Sequence, residues 1–287
     1  MTEHLSYSQV KLWASCPAKY AYSYLDWEPE PLAEPLIFGS AVHKCIEATN
    51  YSILGKTEEP PIDEHEKTAR RSLEKAIQLA PIKPQEGEFN VEKLAKEAAL
   101  CTMVWQSSLE RLRKIHEAER KYRKVIEVDG EEYSFVARLD AKLDYMYDLP
   151  SLMNGPPKKK KRSPAPIVID YKTASRAWND LQMYIEQQHE FYAWVLDMPV
   201  QARYEVILRP TTKYEPRVQI FQRDITREQM KLVEEEIVQF IRARHQKIRI
   251  RNRGMQCSWC SFAPQCLGTQ ATKILSLRKK EKIGGGE

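Results

Sequence analysis

Hydrophobic and polar residues alternate most regularly in the middle of the chain, from about residue 122 onward. An Asp129-Gly130 pair interrupts the alternation, and such a pair favours a tight turn, so the pattern predicts a β-hairpin. One face of its second strand is apolar: Phe135, Ala137, Leu139, Ala141 and Leu143. The other face carries Val136, Arg138, Asp140, Lys142 and Asp144. Taken alone, this largely charged face indicates a solvated ladder of side chains.

A second strand is predicted over residues 167–173, where Ile-Val-Ile-Asp-Tyr-Lys-Thr follows Pro166. Side chains alternate along a strand, so Asp170 and Lys172 share one face at about 6.6 Å of rise, while Tyr171 points to the other. A carboxylate and an ammonium fixed side by side can hold a divalent cation and activate a water molecule. An ordinary ion pair at the end of a strand is the alternative.

The remaining periodicity predicts helices over residues 5–25, 63–80, 91–120, 178–196 and 228–248, and strands over 202–209 and 217–221. The helix at 178–196 would present Tyr184, Gln188 and Tyr192 on one face. Gly39 and His43 lie one helical turn apart with small residues between them, which implies a close approach of that helix to another element. Seen alone, the pair is equally a helix-start glycine and an unrelated histidine.

Composition describes an ordinary globular protein, with 42% hydrophobic and 30% charged residues in 287. No apolar run approaches the roughly 18 residues of a membrane span, and residues 1–20 are too polar for a signal peptide, so we expect a cytoplasmic protein. The net charge of +5 is compatible with nucleic acid without indicating it. The basic run Lys158–Arg162 predicts a loop that contacts phosphates, directs nuclear import or is simply solvated.

Six cysteines in a cytoplasmic chain indicate metal ligands or free thiols rather than disulfides. Three are closely spaced near the C-terminus: Cys257, Cys260 and Cys266. Cys16, next to the helix-breaking Pro17, is the best candidate for a fourth ligand. Cys45 and Cys101 lie in apolar helical patterns and are predicted core thiols. An iron-sulfur cluster and zinc both satisfy this ligand count.

In their order along the chain, these motifs resemble the RecB-type branch of the PD-(D/E)xK nuclease superfamily. The resemblance is closest to the iron-sulfur exonucleases typified by the CRISPR-associated adaptation nuclease and its phage relatives, and to the AddB-type nuclease domain. It covers nearly the whole chain and consists of Ser8–Tyr24 with Cys16, Gly39-x3-His43, Arg138-x-Asp140, Asp170-x-Lys172-Thr, Gln188-x3-Tyr192 and the terminal cysteines. Two departures are Ala137, where the family often has Gly, and a wider gap between Asp140 and Asp170.

The resemblance implies a role for each motif. The implied ligands of a Mg²⁺ or Mn²⁺ ion are His43, Asp140, Asp170 and the carbonyl of Tyr171. The implied catalytic set is Asp140, Asp170, Lys172, Gln188 and Tyr192. In that set Lys172 holds the attacking water, and Gln188 and Tyr192 support Lys172 or grip the phosphate backbone. The implied ligands of a [4Fe-4S] cluster are Cys16, Cys257, Cys260 and Cys266.

The expected fold is α/β, a restriction-endonuclease-like mixed sheet flanked by helices, with an N-terminal helical portion and a C-terminal cysteine segment. One continuous nuclease domain would comprise a helical region (1–120), a nuclease core (121–250), and the cysteine segment with a basic tail (251–287). The expected function is metal-dependent exonucleolytic hydrolysis of DNA, on single-stranded ends, with recombination, repair, phage or CRISPR-adaptation proteins as partners.

The alternative is a non-catalytic DNA-binding or adaptor protein of such a complex, in which the cluster is a structural clip. The intact Asp170-x-Lys172 motif favours the enzyme, because a silent relative need not retain both charges.

Overall fold

The computed structural model describes residues 4–27, 33–58, 60, 62–79, 89–108, 115–143 and 165–268. The chain divides into two compact units. The first unit comprises Met1–Leu5 and Leu32–Glu235, and the second comprises Ser6–Pro31 and Glu236–Glu287. In the described part of the chain, no helix is long and apolar enough to span a membrane. The basic run Lys158–Arg162 and the C-terminal tail from residue 269 lie outside the described residues.

The first unit is built on a six-stranded mixed sheet. Its strands are β1 (His4–Leu5), β2 (Ile115–Val128), β3 (Glu131–Leu143), β4 (Ile167–Ala174), β5 (Val200–Leu208) and β6 (Arg217–Ile225). The order is β1-β3-β4-β5-β6, with β2 also paired to β3. Strands β4 and β5 are parallel, whereas β3 pairs with β4 and β5 with β6 in antiparallel fashion. The predicted α/β class with a mixed sheet is confirmed.

Nine α-helices accompany the strands in the described part of the chain. They are α1 (Tyr7–Ser15), α2 (Pro17–Tyr20), α3 (Glu34–Ile53), α4 (Ile62–Leu79), α5 (Val91–Ser108), α6 (Asp180–Ile185), α7 (Gln188–Leu196), α8 (Arg227–His245) and α9 (Ala263–Leu267). A π-helix covers Ala21–Leu25 and a 3-10 turn covers Met255–Ser258.

Helices α3, α4 and α5 form one apolar core with the sheet. Phe38, Trp105 and Tyr171 are among its largest fully buried side chains. Cys45 and Cys101 are completely buried there, and burial raises the pKa of each thiol to about 12. Both cysteines are therefore neutral core thiols, as predicted.

The hairpin of β2 and β3 turns at Asp129 and Gly130, whose φ angles of 53° and 86° are those of a tight turn that matches the twist of the strands. The predicted apolar face of β3 is buried, with Phe135 and Ala141 fully inaccessible. Strand β2 begins at Ile115, so the prediction of a helix to residue 120 is wrong. Residues 115–121 are mostly charged and lack strand-type alternation, and pairing with β3 gives them their conformation.

The predicted helix over 178–196 is also wrong in one respect, because it is two helices with a break at residues 186–187. The backbone of Glu186 is extended, and its carbonyl accepts hydrogen bonds from Tyr204 and Arg223 on neighbouring strands. Tyr184 consequently lies on a separate helix from Gln188, and 59% of its surface is exposed.

The second unit joins the N-terminal helices to the C-terminal segment. Its core includes an aromatic group in which Trp13 and Tyr20 pack edge-on against Phe240. The predicted helix over residues 5–25 is interrupted at the helix-breaking Pro17, since Cys16 is extended between α1 and α2 and Pro17 begins α2.

Candidate active site

Strand β4 lies between β3 and β5 and places Asp170 and Lys172 on one face. Lys172 Nζ lies 2.7 Å from Asp170 Oδ2, which confirms the predicted adjacency. The ring of Tyr171 points into the core, where its hydroxyl accepts a hydrogen bond from Asn50 and its ring meets Trp105 edge-on. One face of β4 therefore carries the charged side chains of the candidate site, and the other face packs into the core.

Asp140 and His43 come to this face from two other elements. Asp140 on β3 accepts a hydrogen bond of 2.9 Å from the backbone N–H of Tyr171. His43 on α3 has its Nδ1 3.8 Å from Asp140 Oδ2, and its ring also bonds to the backbone carbonyl of Tyr171. An imidazole and two carboxylates from distant parts of the sequence thus meet beside one ammonium group.

Gly39 explains how α3 can approach β4 closely enough to deliver His43. A Cβ atom at Gly39 would stand 2.8 Å from Thr173 Oγ1, closer than packed atoms tolerate. Because Gly39 is one turn before His43, the contact lies beside the site. The close approach predicted from the Gly39-x3-His43 spacing is confirmed.

Helix α7 supports the ammonium group through Gln188 and Tyr192. Lys172 Nζ donates to Gln188 Oε1 at 2.6 Å, and the Gln188 amide donates to the Tyr192 hydroxyl. The Tyr192 hydroxyl in turn donates to Asp170 Oδ1 at 3.5 Å. These contacts form a ring that returns to the carboxylate beside Lys172.

Burial and mutual repulsion govern the charges here. Burial, and next the charge of Asp170, raise the pKa of Asp140 to about 7. Burial alone would lower the pKa of Lys172, but the Asp170 carboxylate outweighs burial and raises it. Burial lowers the pKa of His43, so its imidazole is neutral and able to bind a metal. The site therefore presents three groups: the Asp140 carboxyl, whose ionisation is disfavoured by burial, the Lys172 ammonium and the neutral His43 imidazole.

The donor set suits a hard divalent cation, since it combines carboxylate and carbonyl oxygens with one imidazole. Asp170 Oδ2 is buried, and the Lys172 ammonium lies 2.7 Å from it. The Asp170 carboxylate is therefore held at this face of the sheet by a positive charge. As the side chains stand, no group of three or more His, Cys, Asp or Glu among the described residues is arranged to hold a metal ion.

A second layer of charge beside Asp140 escaped the sequence-based prediction. The pairing register of β2 and β3 puts Glu119 opposite Asp140. Arg138 Nε lies 2.5 Å from Glu119 Oε2, and its Nη2 lies 3.5 Å from Glu47 Oε1, on α3 one turn after His43. Burial, and next the charge of Asp140, raise the pKa of Glu119 to about 7. Glu119 lay in a stretch predicted as helix, so nothing pointed to its position.

The four candidate cluster cysteines lie together in the second unit, where they line one cavity of about 280 Å³. All are free thiols: Cys16, Cys257, Cys260 and Cys266. Burial raises the pKa of Cys266, Arg251 lowers it, and the other three cysteines raise it, so the four sulfurs are electrostatic neighbours. Lys19 and Arg253 line the same cavity.

Comparison with known proteins supports a nuclease fold. A family model described as the PD-(D/E)XK nuclease superfamily matches residues 4–267. Among solved structures, a candidate exonuclease from Eubacterium rectale has 14% identity and a TM-score of 0.44, with 90% of this chain and 86% of the other covered. The crystal structure of SSO0001 has 13% identity and a TM-score of 0.38, with 89% and 93% covered. No curated protein matches.

At these scores the two structural likenesses are weak, and the family model carries the assignment because it spans most of the sequence. It confirms the superfamily that the motifs predicted, while the RecB-type branch and the iron-sulfur cluster stay predictions. The chain therefore belongs to the PD-(D/E)XK nuclease superfamily.

Proposed function

We propose that this chain is a divalent-metal-dependent DNA exonuclease that hydrolyses phosphodiester bonds from single-stranded ends. The observation that supports it most directly is that His43, Asp140 and Asp170 converge beside the Lys172 ammonium, which lies 2.7 Å from Asp170 Oδ2. Two carboxylates about 4 Å apart repel by roughly 4 kcal/mol at an effective dielectric near 20, so Asp140 and Asp170 would ionise together most readily around a cation.

The proposed ligands of one Mg²⁺ or Mn²⁺ ion are His43, Asp140, Asp170 and the carbonyl oxygen of Tyr171. Such an ion, when bound, supplies Lewis-acid polarisation of the phosphate and lowers the pKa of a nearby water. The chain's own contribution is orientation, because the Tyr171 N–H holds Asp140 and the Tyr171 carbonyl holds His43. The backbone of one residue therefore aligns both side chains.

Lys172 is the proposed positioning group for the attacking water. Since the Asp170 carboxylate keeps its pKa raised, Lys172 is an ammonium that donates hydrogen bonds and stabilises negative charge on the phosphoryl oxygens. A bond forms between the water oxygen and phosphorus, the bond to the leaving oxygen breaks, and the water's proton is transferred overall to that oxygen. Gln188 and Tyr192 hold Lys172 in place for this step.

The test is cleavage of a labelled single-stranded oligonucleotide in Mn²⁺ or Mg²⁺, with a chelator control. We expect Asp170→Asn and Lys172→Gln each to lower the rate at least about a hundredfold, since each removes charge at the reacting centre. Matched controls are Asp224→Asn and Lys121→Gln, whose side chains are exposed on the same sheet. Wild-type cleavage that survives in either site variant would contradict the assignment. DNA binding without any metal-dependent cleavage would favour the non-catalytic adaptor instead.

We further propose that Cys16, Cys257, Cys260 and Cys266 hold a [4Fe-4S] cluster. Support comes from their shared cavity and from the resemblance of their spacing to the iron-sulfur exonucleases. By that same resemblance, the cellular setting is recombination and repair, phage DNA metabolism or CRISPR adaptation. Iron and acid-labile sulfide in anaerobically prepared protein test the cluster. Cys260→Ser should lose both and Cys101→Ala should keep both, whereas a colourless preparation containing zinc would overturn the proposal.

A further inference from the structure

The second unit concentrates the positive charge of the molecule. Its described residues, 6–27 and 236–268, hold eight Lys or Arg but only two Asp or Glu. This excess of six is larger than the net charge of +5 for the whole chain, so the remainder of the sequence is slightly acidic. Even four ionised cysteines would offset only part of it. The charge therefore implies a polyanionic partner for this unit.

Three of the eight basic residues lie in one segment, residues 249–253, which is anchored at three of its five positions. Arg249 is held by Asp26 through two contacts of 2.6 and 2.8 Å. The carbonyl of Ile250 accepts from the Ala18 N–H at 3.1 Å, and the Asn252 side chain donates to the Ser15 carbonyl at 2.8 Å. Arg251, between two of these anchors, and Arg253, just after the last one, are exposed and form no ion pair within the described residues. Two guanidinium groups are thus presented on a fixed backbone.

An aromatic side chain lies beside these arginines. Trp259 is 65% exposed, and it lines the same cavity as Arg251 and Arg253. Exposed indole rings stack on nucleic-acid bases, and guanidinium groups bind phosphates bidentately. Phosphate-binding and base-stacking groups therefore occur side by side on one surface.

We propose that Arg251, Arg253 and Trp259 form a single-stranded DNA-binding surface of the second unit. The arginines bind consecutive phosphates and Trp259 stacks on a base, which favours unpaired strands because bases in a duplex are already stacked. A protein partner is the weaker alternative, since three arginines within five residues and an excess of six positive charges match a phosphate backbone better than a typical protein surface. The proposal rests on the nuclease function only for its choice of DNA.

The test is fluorescence anisotropy with a labelled oligo(dT) in EDTA, on the Asp170→Asn protein, so that binding is measured without cleavage. We expect Arg251→Gln/Arg253→Gln to weaken binding on the order of tenfold and to lower the slope of log K against log salt by about 1.4, for two lost phosphate contacts. The control is Lys213→Gln/Arg227→Gln, which removes the same charge from exposed positions of the first unit. Equal slopes for the two double variants would overturn the proposal.

Trp259 gives a second, independent measurement. We expect Trp259→Ala to lose at least about fivefold in affinity and Trp259→Phe to recover part of it. DNA should also quench the indole fluorescence of the parent protein more than that of Trp259→Phe. Unchanged affinity in Trp259→Ala would exclude the stacking role.

Two further outcomes distinguish DNA binding by this surface from a role of the arginines in the cysteine site and from the nuclease function. If the arginine variant loses iron in proportion to its loss of binding, the arginines serve the cysteine site and the proposal fails. If the parent chain never cleaves DNA but the arginine variant still loses binding and salt dependence, the surface stands and the nuclease function fails.

Discussion

His189 shows how a buried residue next to the site is adapted to packing and not to proton transfer. Its Nε2 lies 2.9 Å from the Val168 carbonyl oxygen, and its ring packs edge-on against Tyr204 with centroids 4.2 Å apart. Burial lowers the pKa of His189 to about 4. The imidazole is therefore neutral, and it fixes α7 against β4 beside Lys172.

This pKa predicts a pH dependence of stability. Between about pH 4 and 6.5 the unfolded chain protonates His189 while the folded chain does not, so the unfolded state binds more protons and stability falls as the pH is lowered. We expect the free energy of unfolding to fall over this range on the order of 3 kcal/mol more in wild type than in His189→Gln. Denaturant titrations at several pH values measure it, with exposed His245→Gln as control. Parallel pH curves for wild type and His189→Gln would contradict the prediction.

Arg138 connects two elements of the candidate site. It contacts Glu119 on β2 and Glu47 on α3, so it joins the helix of His43 to the strand of Asp140. Glu119 has a φ of 56°, unusual for a residue other than glycine and tolerated where surrounding contacts hold it.

We expect Glu119→Gln to raise the Mn²⁺ concentration for half-maximal cleavage about tenfold, with little change in rate at saturation. The physical reason is that outer contacts of metal-ligand side chains typically contribute about ten- to a hundredfold in metal affinity. Glu132→Gln, at an exposed site on β3, is the control. A fall in saturated rate without any shift in metal dependence would show that Glu119 acts otherwise.

At the scale of elements, the approach of α3 to β4 controls the geometry of the site. Gly39→Ala places a methyl group 2.8 Å from Thr173 Oγ1, so Thr173 or α3 must shift, and a shift of α3 would move His43 relative to Asp140. We expect roughly tenfold lower activity, with little loss of stability because alanine favours a helix by about 1 kcal/mol over glycine. Removing the opposing atom in Gly39→Ala/Thr173→Ala should restore much of the activity. Nuclease rates and thermal melts of the two variants and Thr173→Ala form the test.

The elements also show what the sequence could and could not predict. Strand β3 was predictable because its apolar and polar residues alternate, and β4 because it is a buried run rich in β-branched residues. Asp140, Asp170 and Lys172, the charges on these strands that the motifs marked, come together in the fold. The break between α6 and α7 was not predictable, because the Glu186 carbonyl is bonded by Tyr204 and Arg223 from strands that follow later in the chain. Long-range pairing of this kind leaves no trace in local periodicity. The same is true of β2, whose charged start becomes a strand through pairing with β3.

At the scale of the whole molecule, the second unit joins N-terminal and C-terminal parts of the chain. Cys16 and Cys257 are more than two hundred residues apart in sequence, yet both line one cavity. A metal centre linking them would contribute binding free energy directly to the folding of that unit.

We therefore expect Cys260→Ser, or removal of iron by a chelator, to increase amide exchange in residues 6–27 and 236–268. The sheet of the first unit should stay protected because its core contains none of the four candidate cluster cysteines. Hydrogen-exchange mass spectrometry resolves the two sets of peptides, with Cys101→Ala as the control for loss of a thiol. Equal exchange in loaded and stripped protein would mean that the cysteines contribute nothing to folding.

The ring of Tyr171 contacts Asn50 and Trp105, and its backbone N–H and carbonyl contact Asp140 and His43. The same residue thus serves the architecture on one side and the chemistry on the other. Substitutions that repack the core around this ring would displace the backbone that orients Asp140 and His43. Substitutions there that raise thermal stability would lower turnover, so stabilising substitutions should be made in another part of the core.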